Sequence, residues 1–244
     1  FSCGWVIGAE LLSAQIDLCF APVLDIDFGV SEVIGNRSFH SDPGIIAILA
    51  AAFIKGLNEA GMAAVGKHFP GHGGVAADSH VEIPVDSRVE EVIRQSDLVP
   101  FEALAGQLAG VMPAHVIYDQ VDPNPAGFSN YWLLQVLRNE LKFEGAIFSD
   151  DLTMQGASAV GGFEERTKQA LAAGCDMVLV CNDRPGALVA LEYLKNNPFK
   201  GVQERLQRLQ GGNQFEKHLI EKQALEKSAL WQGHIKNIKA LILK

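Results

Sequence analysis

The densest chemistry in this chain lies in residues 67–80, KHFPGHGGVAADSH. Lys67, His68, His72, Asp78 and His80 stand there among Gly71, Gly73 and Gly74. Asp78 and His80 are two residues apart. In an extended or turning loop, that spacing lets the carboxylate accept a bond from one imidazole nitrogen. The tautomer is then fixed, and the other nitrogen is left to give and take protons. Glycine density implies unusual backbone angles and a mobile loop over a site. A second reading makes His68, His72, His80 and His115 the donors of a metal-dependent hydrolase. Their irregular spacing, with no H-x-H or H-E-x-x-H, weighs against it. A third reading lets these histidines satisfy backbone groups in a buried loop, which suits His72 best.

Two further segments carry candidate groups. Phe148-Ser149-Asp150-Asp151-Leu152 ends an apolar run in paired carboxylates. A carboxylate at the end of a buried strand is costly unless bonded or paired, and Lys67 or His68 could supply the partner. Asp151 reads as a cap on the following turn and Asp150 as the working group. In Ile34-Gly35-Asn36-Arg37-Ser38-Phe39, the Arg37 guanidinium can fork onto a ligand carbonyl or hydroxyl. A loop salt bridge is the alternative for Arg37.

The elements that must hold these groups follow from the hydrophobic pattern. Near-continuous apolar runs at 18–28, 63–69, 110–116, 145–152 and 176–183 suit strands covered on both faces, as in a parallel sheet. Helical patterns separate them. Ser41-Asp42-Pro43 reads as a cap with Pro in the first turn, opening a helix that runs to Gly61. Residues 88–107 are helical with a break or restart after Ser96, near Pro100. Ser129 caps the next helix, Gly174 stops the one over 162–173, and 184–195 completes the series. This βα rhythm predicts a barrel or a doubly wound sheet. Polar residues gather at the C-terminal ends of the runs: Asp25, Lys67-His68, His115, Asp150-Asp151 and Asn182-Asp183. Parallel α/β folds place their sites there, so a shared cavity is expected.

Composition narrows the classes. The 244 residues are 48% hydrophobic and 20% charged, which excludes a disordered chain. The net charge of -9, with no Lys/Arg cluster in residues 1–190, argues against nucleic acid or an anionic membrane as partner. No apolar run reaches the ~18 residues of a membrane span. The four cysteines form no C-x-x-C pair, so free thiols in a reducing cytoplasm are expected. The chain starts at Phe1 and enters a helical pattern at once, without the charged and small-residue features of a signal peptide; the start reads as a cut inside a larger protein. Residues 200–244 are more polar and read as two or three amphipathic helices.

GKHFPGHGGVAADSH, IGNRSFHSDP, MPAHVIYDQVDP and IFSDDLTMQGA together resemble the β-N-acetylhexosaminidases of glycoside hydrolase family three. The resemblance covers nearly the whole chain and weakens after about residue 200. It implies a (β/α)8 TIM-type barrel and retaining hydrolysis. It implies Asp150 as nucleophile, His80 as acid/base oriented by Asp78, and Arg37, Lys67 and His68 as N-acetylglucosamine contacts. No metal or cofactor is implied. Members of the family also carry an N-terminal region with the first three barrel strands and a D-x-E-G-G-R-V-Q-R segment that grips the sugar, and no such segment occurs here. The five runs would then be strands four to eight of an N-terminally truncated barrel. Residues 1–200 would form the partial barrel and 201–244 a helical segment packed on it. The implied substrate is a muropeptide bearing terminal N-acetylglucosamine, handled in the cytoplasm during cell-wall recycling by a protein that is a monomer at full length. A sugar-binding chain without turnover is the remaining alternative.

Overall fold

Alternation along the apolar runs builds a sheet with two buried faces. The computed structural model describes residues 1–76, 83–198, 201–211 and 222–242. Its strands are β1 (Leu18–Cys19), β2 (Ala63–Phe69), β3 (Val85–Asp86), β4 (Gly110–Pro113), β5 (Ile117–Tyr118), β6 (Ala146–Asp151) and β7 (Met177–Leu179). Five of them form one sheet in the order β1-β2-β4-β6-β7, and β3 pairs with β5 separately. Every pairing is parallel. Successive side chains of a strand point to opposite faces. Ala64, Val111 and Ile147 accordingly join the main core beneath the helices. Their neighbours Val65, Met112, Ala146 and Phe148 form a second cluster on the other face, closed by Leu209 with Leu206 beside it.

The helices are α1 (Ser2–Ser13), α2 (Pro43–Glu59), α3 (Glu90–Gln95), α4 (Leu98–Leu104), α5 (Phe163–Ala173), α6 (Arg184–Asn196), α7 (Gln203–Gln207), α8 (Lys222–Lys227) and α9 (Ala229–Ile242). The cap expected before α2 is present: the Asp42 carboxylate accepts from the Ile45 N–H at 3.0 Å, and Pro43 opens the first turn. The restart after Ser96 is also present. α3 ends at Gln95, and Pro100 falls in the first turn of α4, where its missing N–H costs no helical bond. Ser129 Oγ accepts from the Trp132 N–H at 3.1 Å and opens the helix Tyr131–Glu140, which is wound with a π repeat that apolar spacing did not reveal.

Three runs are shorter as strands than their apolar length predicts, and the one at 176–183 is strand only at Met177–Leu179. The run at 18–28 is strand only at Leu18–Cys19. Pro22 has no N–H for a ladder, yet its carbonyl still accepts from Lys67 N at 3.2 Å, and Leu24 N donates to Lys67 O at 2.6 Å. The run at 110–116 is strand only at Gly110–Pro113, although Ala114 N still donates to Phe69 O at 2.7 Å. At the other end of the chain, α8 and α9 lie against α1, where Leu225, Trp231, Ile235 and Ile238 cluster with Trp5, Val6 and Ala9. Trp231 Nε1 donates to Glu10 Oε1 at 2.9 Å.

α1 crosses α2 on glycines. A Cβ at Gly56 would stand 2.1 Å from Phe1 O and 2.7 Å from Trp5 N, and one at Gly4 would stand 2.1 Å from Phe53 O. Backbone cannot yield as a flexible side chain does. Gly56→Ala is therefore expected to destabilise the chain by about 1–3 kcal/mol despite the better helix propensity of alanine, read as a lower denaturant midpoint.

Candidate active site

Both irregularities of strand pairing among the named strands fall where candidate residues stand. Between β2 and β4 the register shifts at Lys67/Phe69; between β6 and β7 it shifts at Phe148/Asp151. Such shifts bend the strand and re-aim side chains. In the second gap, Ser149 Oγ accepts from the Leu179 N–H at 2.9 Å, so the interrupted ladder stays satisfied. A pocket of about 220 Å³ opens at these strand ends, and Arg37, Lys67, His68, His72, Asp150 and Asp151 all line it. Phe20, Met112, Met154 and Leu179 supply apolar wall. Four of the six residues singled out from the sequence thus meet in one cavity. The other two, Asp78 and His80, lie outside the described residues.

The two carboxylates of β6 differ in their partners. Asp151 Oδ1 accepts from Thr153 N and Cys181 N, each at 2.9 Å, and Oδ2 accepts from the Thr153 hydroxyl at 2.6 Å. It is bound up in the turn. Among the described residues, Asp150 Oδ1 takes only the Asp151 N–H, at 2.8 Å, and its other oxygen accepts no hydrogen bond.

The cations differ in their commitments. Arg37 ends a short 3-10 turn, Gly35–Arg37, and its Nη1 donates to Val33 O at 3.0 Å. Among the described residues it makes no ion pair. Burial pushes the Lys67 ammonium below its ordinary pKa, and Arg37 pushes the same way; the Asp150 charge opposes both. His68 does not turn to Asp150. Its Nδ1 lies 2.7 Å from Asp25 Oδ2, in a pair that is almost wholly buried.

Asp25 was visible in the sequence only as one of five strand-end polar groups. Its Oδ1 also accepts from the His72 N–H at 2.7 Å, and both oxygens lie 3.2 Å from the His68 N–H. Burial opposes its charge, but the His68 charge and these bonds prevail, holding its pKa below the ordinary 3.8. The signal was a charge between Leu24 and Ile26, both fully buried. His115 is not part of the pocket lining. It is buried, stacks on Phe128 at 5.3 Å, and reaches Asp151 O with Nε2 at 3.2 Å. Burial lowers its pKa. Asn182-Asp183 also stands apart, since the Asp183 carboxylate caps α6 through Gly186 N at 2.8 Å.

Close approach accounts for two glycines of the glycine-rich stretch. A Cβ on Gly73 would sit 1.8 Å from Ile26 O. At Gly71, φ is +157°, and a Cβ there would meet the Asp97 carboxylate at 2.5 Å. Asp97 is buried and shares Arg88 with Asp86: Arg88 Nη1 donates to Asp97 at 2.9 Å and Nε to Asp86 at 3.0 Å. The pattern of residues 88–107 gave no sign of this clamp beneath the loop. Among the described residues, no group of three or more His, Cys, Asp or Glu side chains is placed to hold a metal ion.

A parallel α/β sheet thus brings an acid, two bases and a guanidinium together at its carboxyl ends. Residues 2–210 match the N-terminal domain of glycosyl hydrolase family 3, and the chain belongs to that family. A β-hexosaminidase of Pseudomonas aeruginosa is 59% identical over 212 residues, 86% of this chain and 63% of that protein. Native NagZ from Neisseria gonorrhoeae superposes with a TM-score of 0.83 at 43% identity, covering 96% of this chain and 66% of that one. Its complex with N-trifluoroacetyl-D-glucosamine superposes with a TM-score of 0.86, covering 98% and 68%. The fold is TIM-barrel-like. The chain spans less than two thirds of the curated relative in Pseudomonas aeruginosa.

Two outcomes follow for stability. His72 and His115 have pKa values lowered by burial, so below about pH 6.5 the unfolded chain takes up protons that the folded chain refuses. Asp25, also lowered, adds the same effect below its ordinary value near 3.8. Denaturant midpoints are expected to fall as pH drops below about 6.5 and more steeply below about 4. Asp151→Ala strands the donors of Thr153 and Cys181 and is expected to cost about 1–3 kcal/mol by the same assay.

Proposed function

We propose that this chain carries the catalytic strand ends of a retaining exo-β-N-acetylglucosaminidase that removes terminal N-acetylglucosamine from muropeptides in peptidoglycan recycling. The observation that carries the reading is the division of labour in β6. Asp151 is spent on the turn, while Asp150, among the described residues, keeps an oxygen uncommitted in a pocket shared with Arg37, Lys67 and His68. Membership of the family and the β-hexosaminidase relatives support it.

In this reading Asp150 attacks the anomeric carbon as the bond to the leaving oxygen breaks, forming a glycosyl ester. His80, oriented by Asp78, delivers a proton to that oxygen. It then takes one from the water that opens the ester, and Asp150 leaves as a carboxylate. An imidazole gives and takes protons near neutral pH without the burial a glutamate needs. Arg37, Lys67 and His68 bind the sugar. Lys67 also sets its charge against that of Asp150 in the resting site. The remaining third of the relatives' length would complete the barrel and its sugar grip, giving a monomeric cytoplasmic enzyme. A second reading, sugar binding without turnover, applies to the 244 residues alone, because they span 63% of the Pseudomonas aeruginosa relative.

Two measurements test this. In the full-length protein, Asp150→Ala should lower release of a chromogenic aryl from its N-acetylglucosaminide by at least about a thousandfold. Proton NMR of early product should show the β-anomer. Near-normal turnover in the variant, or an α-anomer as first product, removes the assignment. Calorimetry on the 244 residues with N-acetylglucosamine decides whether they bind without hydrolysing.

A further inference from the structure

We propose that Asp25 is a positioning residue: through its bond to Nδ1 of His68 it turns the imidazole so that Nε2 is the ring nitrogen presented to the sugar. The inference rests on the reading of the pocket as a sugar site. Asp25 itself does not line that pocket, whereas His68 does. Whatever Asp25 contributes to the chemistry passes through another group.

The geometry says which. Three N–H groups converge on one carboxylate: His68 Nδ1–H at 2.7 Å, His72 N–H at 2.7 Å and His68 N–H at 3.2 Å. An ionised carboxylate is acceptor-only and offers about four lone-pair sites, enough for all three. Aspartate 1% exposed, with His68 as its ion-pair partner, is an expensive arrangement unless each of these bonds is made. With Nδ1–H committed, Nε2 is the ring nitrogen left for a ligand. As neutral imidazole it accepts from a sugar hydroxyl; as imidazolium it donates to one. Asp25 supports either state and excludes the reversed tautomer.

Asparagine at this position keeps the shape and reverses the logic. If its carbonyl oxygen keeps the His72 N–H, its amide NH2 faces His68 Nδ1. The ring must then offer a lone pair there and carry its proton on Nε2. A residue that merely staples the segment after β1 to the end of β2 would lose stability on this change without disturbing the His68 ring. The two roles are therefore separable.

The test is a double-mutant cycle in the full-length protein, using an aryl N-acetylglucosaminide. Asp25→Asn should lower kcat/KM by about 10–100-fold with His68 present, and by less than about threefold further in a His68→Gln background. Equal losses in both backgrounds overturn the proposal. Should Asp25→Asn fail to fold, the unaltered protein still decides by long-range proton–nitrogen NMR of His68. A proton on Nδ1, with Nε2 shifting on addition of N-acetylglucosamine, supports the inference. A bare Nδ1, or an Nε2 indifferent to the sugar, overturns it. Asp150→Ala separates the two levels. If that variant turns over normally, the hydrolase reading fails; if it is inactive while the cycle is additive, only the role of Asp25 fails.

Discussion

A carboxylate cannot be buried with its charge unless donors surround it, and at Asp25 that constraint organises the candidate site. Its two oxygens gather N–H groups from the end of β2 and from the loop that follows. The bonds fix where β2 ends, how the His68 ring stands and where the glycine-rich stretch begins. Each follows from the others, because moving any one donor leaves a charge unsatisfied in a medium that does not forgive it.

The same economy divides the rest of the polar residues. Asp151, Asp183 and Ser149 spend their oxygens on backbone N–H groups that strand ends and helix starts leave open. Asp150 and Lys67 are left facing each other's field inside a half-buried pocket, with few bonds of their own. Register shifts fall in β2 and β6 beside Lys67 and Asp150.

Beneath the site the sheet is held from both sides. One face packs against the helices, and the other gathers Val65, Met112 and Phe148 under Leu206 and Leu209. Asp176 ties that cover to the sheet by accepting from Arg138 and Arg205, each at 2.7 Å. The polar sequence after residue 200 therefore contains the side chains that shield the sheet's second face.

Local patterns settled much of this in advance. The span of β2, the Asp42-Pro43 helix start, the break at Ser96 and the gathering of polar groups at strand ends all follow from apolar period, capping chemistry and the parallel-sheet rule, which act over a few residues. The assignment of Asp151 to the turn was legible for the same reason, as its partners lie close by in Thr153 and across one strand in Cys181. What the sequence could not decide were pairings between distant segments. Asp25 takes His68 across 43 residues, Arg88 clamps a loop through Asp97, and His115 turns behind Asp151 instead of into the pocket. Residue types show which groups are able to bond; only the folded backbone decides which of several able partners is near enough to do so.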